Sequence, residues 1–144
     1  MPANNPFDST DPTDPCRKVR PNSARIGKQQ LLYAEGISAQ TVGSKHLHMQ
    51  LATLPPMLRA RAHKHEAHET AIYVISGESG VWYGENLQHH ETVSAGEFFY
   101  IPANIPHVPY NPSKTEPCVT VIARTDPNDQ ESVMLLPELD AMHL

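Results

Sequence analysis

Apolar and polar residues alternate with period two through most of the middle of this chain. In residues 46–54, HLHMQLATL, Leu47, Met49 and Leu51 share one face and His46, His48 and Gln50 the other, which predicts a strand ended by Pro55-Pro56. Residues 59–65, RARAHKH, alternate again, so His63 and His65 point the same way. AIYVIS at 71–76 is rich in strand formers. Gly77-Glu78-Ser79-Gly80 is a turn signal, and VWYGE at 81–85 returns, the pattern of a hairpin. NLQHHE at 86–91 reads as a loop or the edge of the next strand, SAGE at 94–97 as a turn, and FFYI at 98–101 as a strand stopped by Pro102. Pro102, Pro106, Pro109 and Pro112 then impose an extended, rigid path through His107. CVTVIAR at 118–124 is a further strand, TDPND at 125–129 a turn, and ESVMLLPELDAMHL a last strand and a short helical turn. IGKQQLLYAEGI at 26–37 fits a first strand or a short helix. No long segment has helical period, so the pattern predicts an all-β sandwich or barrel.

Composition narrows this reading. The chain has 144 residues, which suits one domain able to bury a real core. Fourteen prolines and seven glycines suit many turns between short strands. Residues 1–21 hold five prolines among Asp, Asn, Ser and Thr and cannot bury much. Residues 1–25 are therefore expected to form a flexible N-terminal arm and residues 26–144 the barrel. A net charge of −5 without a Lys/Arg cluster argues against nucleic acid or an anionic membrane as partner. MPANNPFDST lacks the basic start and apolar run of a secretory signal, and the longest apolar runs are too short to span a bilayer. Cys16 and Cys118 form no motif and read as reduced thiols, so a cytoplasmic location is expected.

The chemistry is concentrated in the imidazoles. Eight of nine histidines lie between positions 46 and 107. His63 and His65, two apart on a strand, project to one face. His107, from a distant strand, can meet them only if the sheet curls into a small barrel. Three neutral imidazoles converging on a divalent cation leave positions open for water, oxygen or substrate, which makes His63, His65 and His107 the expected ligand set. The proline frame around His107 suits a ring that must be held still. The other candidates have plainer readings. His46 and His48 fit a solvated strand face, His68 an exposed loop, and His89-His90 a surface loop. Tyr73, Trp82, Phe98, Phe99 and Tyr100 fit core packing. Tyr110 is a candidate for the pocket mouth, while Arg59 and Arg61 fit outer positions.

At these residues the chain resembles the cupin superfamily. The first cupin motif runs Gly-(five)-His-any-His-(three or four)-Glu-(six)-Gly, and His63-Lys64-His65, Glu69 and Gly77 follow it closely. The second runs Gly-(five)-Pro-any-Gly-any-any-His-(three)-Asn, and Gly96, Pro102, His107 and Asn111 match its spacing. There are three departures. Met57 stands where the first motif opens with Gly. Asn104 replaces the second motif's Gly, and Asn tolerates a left-handed backbone. Seven residues separate Glu69 from Gly77 instead of six, so counting back from Gly77 puts Thr70 at the carboxylate position and alternation would turn Glu69 away.

The resemblance implies a jelly-roll barrel that holds a divalent transition metal, whether iron, manganese, nickel, copper or zinc. Its ligands would be His63, His65 and His107, with Glu69 or without it, and with His48 as an alternative fourth group. An oxygenase-type oxidoreductase such as a dioxygenase, acting on a small organic substrate, is the first reading. A metal-dependent isomerase or lyase of a sugar or hydroxy acid, with His48 or Glu69 moving the proton, is the second. A small-molecule-binding cupin without catalysis is the third. Exposed sheet edges and exchanged arms would favour a homodimer.

Overall fold

The computed structural model describes residues 15–21, 24–26 and 31–144. Most of the N-terminal arm expected over residues 1–25 lies outside the described residues, although Ala24–Ile26 already pair within a sheet. Among the described residues eleven strands form two antiparallel sheets. The larger has the order β1 (Ala24–Ile26), β2 (Leu32–Ile37), β3 (His48–Leu54), β10 (Cys118–Arg124), β5 (Thr70–Ser76) and β8 (Phe98–Ile101). The smaller runs β11 (Met134–Leu135), β4 (His63–Lys64), β9 (His107–Tyr110), β6 (Glu78–Tyr83) and β7 (His89–Ser94). The apolar stretch at 26–37 yields strand β2. A one-turn helix, α1 (Ala39–Val42), follows it, capped by the Ser38 hydroxyl, which accepts the Thr41 N–H at 3.0 Å. The tail ends in β11 and a 3-10 turn at Pro137–Leu139.

The two sheets pack face to face. Ala52, Leu54, Val74 and Cys118 of the larger sheet and Val81 and Val93 of the smaller share one buried cluster with Leu31, Tyr33 and Ala60. A second cluster of Ala62, Leu87 and Val108 lies under the C-terminal tail, which contributes Leu136, Leu139 and Met142.

Three expectations from local pattern need correction. The segments 71–76 and 81–85 do not form a hairpin. β5 pairs with β10 and β8, whereas β6 pairs with β7 and β9. Gly77 carries the chain from one sheet to the other. Its φ is 79°, and a Cβ there would stand 2.5 Å from the Pro117 carbonyl oxygen. A turn that doubles a strand back and one that crosses to the facing sheet use the same residues, so the local signal is silent on which occurs. The second correction concerns β3. His48 and Gln50 face inward and are buried, while Met49 and Leu51 face outward. Alternation separates two faces but does not say which is inside, and here the inner face has polar partners waiting. The third follows from it. Tyr73, Phe98 and Tyr100 are exposed on the same outer surface instead of packing in the core, which takes Phe99.

Candidate metal centre

His63 opens β4, its neighbour His65 follows directly, and His107 opens β9, where it sits opposite His63 in register. The ring centroids of His63 and His107 are 4.2 Å apart, and those of His65 lie 5.1 and 5.2 Å from the other two. A ligand atom from each of the three rings lies within 4.8 Å of the others, and all three residues are buried.

The backbone fixes the rings. His63 Nδ1 is 2.6 Å from the Arg61 carbonyl oxygen, His107 Nδ1 2.8 Å from that of Ile105, and His65 Nδ1 3.1 Å from that of Ser132. Each Nδ1–H donates to its carbonyl, which leaves Nε2 with its lone pair as the ligating atom. Burial, reinforced by the neighbouring rings, pushes His63 down to about 4 and His107 well below its ordinary value. Burial also lowers His65, and Glu131 partly offsets this. Desolvation thus keeps the rings neutral, the state a metal ligand needs. Donor type, burial and convergence all suit a divalent transition metal.

The rings open into a cavity of about 60 Å³ between the sheets. At roughly 10–15 Å³ for each water position, that is room for a few waters or a small molecule. Most of its wall is apolar, including Ile72, Val74, Phe99, Ile101 and Ile122. Gln50, Thr70, Thr120 and Glu131 supply polar points.

The candidate fourth groups fall elsewhere. Glu69 is not brought to the rings: its side chain is exposed and accepts a hydrogen bond from the Tyr100 hydroxyl at 2.6 Å. The extra residue before Gly77 puts Thr70 at the inward position, and Thr70 is buried in the cavity wall. His48 is buried, not solvated, but it is held away from the cavity, with Nε2 3.1 Å from Asp129 Oδ1 and 3.2 Å from Glu35 Oε2. Neither Glu69 nor His48 is among the residues that line the cavity at the three rings. His68 is likewise buried, its Nε2 3.2 Å from Glu131 Oε2. Tyr110 turns away from the cavity, and His90 Nε2 lies 2.7 Å from its hydroxyl. Arg59 is taken up by donation to the Met142 and His143 carbonyls.

The carboxylate that does reach the cavity is Glu131. It stands 3.5 Å from His65 Nδ1 and 3.4 Å from Arg124 Nε, on the segment that follows β10. Asp126 secures that segment by accepting the N–H groups of Asn128 and Ser132 at 3.1 and 3.0 Å. Burial pushes the Asp126 carboxyl up, but these N–H groups outweigh it and hold the carboxyl below its ordinary value. Gln50, with its NH2 toward Glu35 at 2.9 Å and its oxygen toward Arg124 Nη1 at 3.0 Å, links the two polar clusters. No motif points to Glu131. The one usable signal is Arg124, inward by alternation in CVTVIAR, since a buried guanidinium requires a carboxylate nearby.

Two antiparallel sheets rolled face to face, with three neutral imidazoles gathered between them, define a jelly-roll protein whose interior could hold a metal ion. The family model described as Cupin domain matches residues 50–123, and the chain belongs to the cupin family. Among solved structures it is similar to oxalate decarboxylase from Lactobacillus farciminis in a formate complex, with 17% identity and a TM-score of 0.64 over 81% of this chain and 33% of that one. It is also similar to the polyketide cyclase RemF from Streptomyces resistomycificus, with 22% identity and a TM-score of 0.62 over 82% and 76% of the two chains. A double-stranded β-helix protein from Klebsiella pneumoniae matches at 17% identity and a TM-score of 0.61, over 77% and 88%. Identities this low show a shared fold. Among curated protein sequences none matches this chain. No helix among the described residues is long and apolar enough to cross a membrane.

Proposed function

We propose that this cupin is a metal-dependent, oxygenase-type oxidoreductase acting on a small, largely apolar organic substrate in the cytoplasm as a homodimer. His63, His65 and His107 would hold a divalent iron, manganese, nickel, copper or zinc ion through Nε2. The observation that carries this reading is the orientation of the three buried rings, each tied through Nδ1 to a backbone carbonyl and open at Nε2 toward an apolar cavity. A metal bound there would supply Lewis acidity and, if redox-active, electron exchange with oxygen. The chain's own contribution is positional. The walls formed by Ile72, Phe99 and Ile122 exclude water and select apolar surface, while the Thr70 hydroxyl, buried in the wall without a hydrogen-bond partner, offers a hydrogen bond that fixes a polar end of the substrate. Glu131 orients His65 and His68 from the side away from the open nitrogens.

The isomerase or lyase reading draws less support. A sugar phosphate needs cationic partners, and no Lys or Arg lines the cavity among the described residues. Metal analysis of purified protein is the first test, followed by oxygen uptake with catechols, thiols and keto acids. His107→Ala is expected to lose most of the bound metal, and full occupancy in that variant would refute the ligand set. Turnover of a substrate without oxygen consumption would favour isomerisation instead.

A further inference from the structure

A second convergence of ligating side chains lies beside the three rings and apart from them. His48 and Gln50 both face inward on β3, but Gln50 lines the cavity and His48 does not. His48 is 1% exposed, and its Nε2 meets two carboxylates, Asp129 Oδ1 at 3.1 Å and Glu35 Oε2 at 3.2 Å. The three groups come from β2, β3 and the segment after β10, and their ligand atoms lie within 4.8 Å of one another. A neutral imidazole has one N–H, yet both carboxylates face the same nitrogen here. His48 Nδ1 is buried without a hydrogen-bond partner, so the ring's hydrogen-bonding contacts run through Nε2. Carboxylates gathered this closely repel one another unless they share a cation.

We infer that Glu35, His48 and Asp129 form a second divalent-cation site of zinc type, separate from the three rings and independent of whether those hold a metal. Geometry supports this occupant. Two ligand atoms about 2.1 Å from one tetrahedral ion stand roughly 3.4 Å apart, and both separations at His48 Nε2 are close to that. One imidazole nitrogen and two carboxylate oxygens are a donor set that zinc accepts, with a fourth position left for water. The side chains of Glu35 and Asp129 are 19% and 21% exposed, which gives an ion a way in from solvent. The ligands are themselves held in place. The Gln50 NH2 reaches Glu35 at 2.9 Å, and the Gln40 side-chain oxygen accepts the Asp129 N–H at 2.9 Å. Asp129 precedes Glu131 by two residues. An ion here therefore pins the segment that brings Glu131 to His65 onto β2 and β3.

Equilibrium dialysis of the metal-stripped full chain against zinc, with bound metal counted per chain, tests the inference. The wild type is expected to bind at the rings and at this second site, and His107→Ala at the second site alone. His48→Gln should bind at the rings alone. Asp129→Asn, at a partly exposed side chain, guards against a folding defect in that variant. It should weaken the second ion at least about a hundredfold, the upper end for loss of a group that merely supports a ligand. A single zinc that His107→Ala abolishes, or a second zinc that survives both His48→Gln and Asp129→Asn, would overturn the proposal. A single zinc that persists in His107→Ala and is lost in Asp129→Asn would instead remove the ring site and support this one.

Discussion

Glu69 and Glu131 show how one side chain's direction depends on what surrounds it. Glu69 sits in the first motif within one residue of the expected spacing, yet it faces solvent and binds Tyr100. Glu131 sits in no motif and reaches the cavity. These placements separate the two in an experiment. Glu69→Gln should leave metal affinity unchanged. Glu131→Gln removes the carboxylate that orients His65 and His68 and should weaken metal binding about tenfold, the low end for loss of a group supporting a ligand. Competition titration against a chelator reads both, and equal affinities for the two variants would remove Glu131 from the site. The three histidines were legible because their signals are local: two rings at i and i+2, and a third framed by prolines. The buried roles of His48 and His68 were not, because each depends on a carboxylate from the segment after β10, Asp129 for one and Glu131 for the other.

At the level of elements, most strands overlap the segments where the sequence pattern puts them, though β6 begins at Glu78 inside the expected turn and β7 runs on to Ser94, while their partners are decided elsewhere. Gly77 is the clearest case, a turn residue that changes sheets. Gly77→Ala should destabilise the protein by about 2 kcal/mol or more, since a positive φ and a Cβ driven against the Pro117 backbone must both be accommodated. The shift in urea midpoint measures this, and a change under half that size would mean that the corner is slack. Met57 and Asn104 stand where the two motifs carry glycine, and both adopt left-handed backbone, with φ of 65° and 68°. The turn geometry survives the loss of both glycines because the surrounding hydrogen bonds, Met57 N–H to Ser113 O at 2.9 Å and Asn104 N–H to His65 O at 2.6 Å, hold it in place. β4 is shorter than its alternating sequence suggests, just His63–Lys64, with an isolated bridge from Arg59 to Tyr110 before it.

For the molecule as a whole, buried neutral imidazoles make stability depend on pH. An unfolded histidine titrates near 6.5, whereas His63 is held down to about 4. Between those values the unfolded chain binds more protons than the folded one, so stability rises with pH through that window and the contribution is complete above about 6.5. His63 alone corresponds to about 3 kcal/mol across the window, at ~1.4 kcal/mol for each pH unit. Metal-stripped protein should therefore unfold at markedly lower urea at pH 5 than at pH 7, and a flat profile would mean that the rings are not desolvated.

By itself the sequence determined the all-β class, most strand positions and the three imidazoles, because period two, proline and glycine placement and short spacings are properties of neighbouring residues. Only the tertiary structure decided which face of β3 is inside, which sheet receives the chain after Gly77, and which carboxylate reaches the rings. Those outcomes depend on groups dozens of residues apart competing for one buried space. A strand's alternation is symmetric between its faces, so the choice waits until the partner strands and their polar groups are in place.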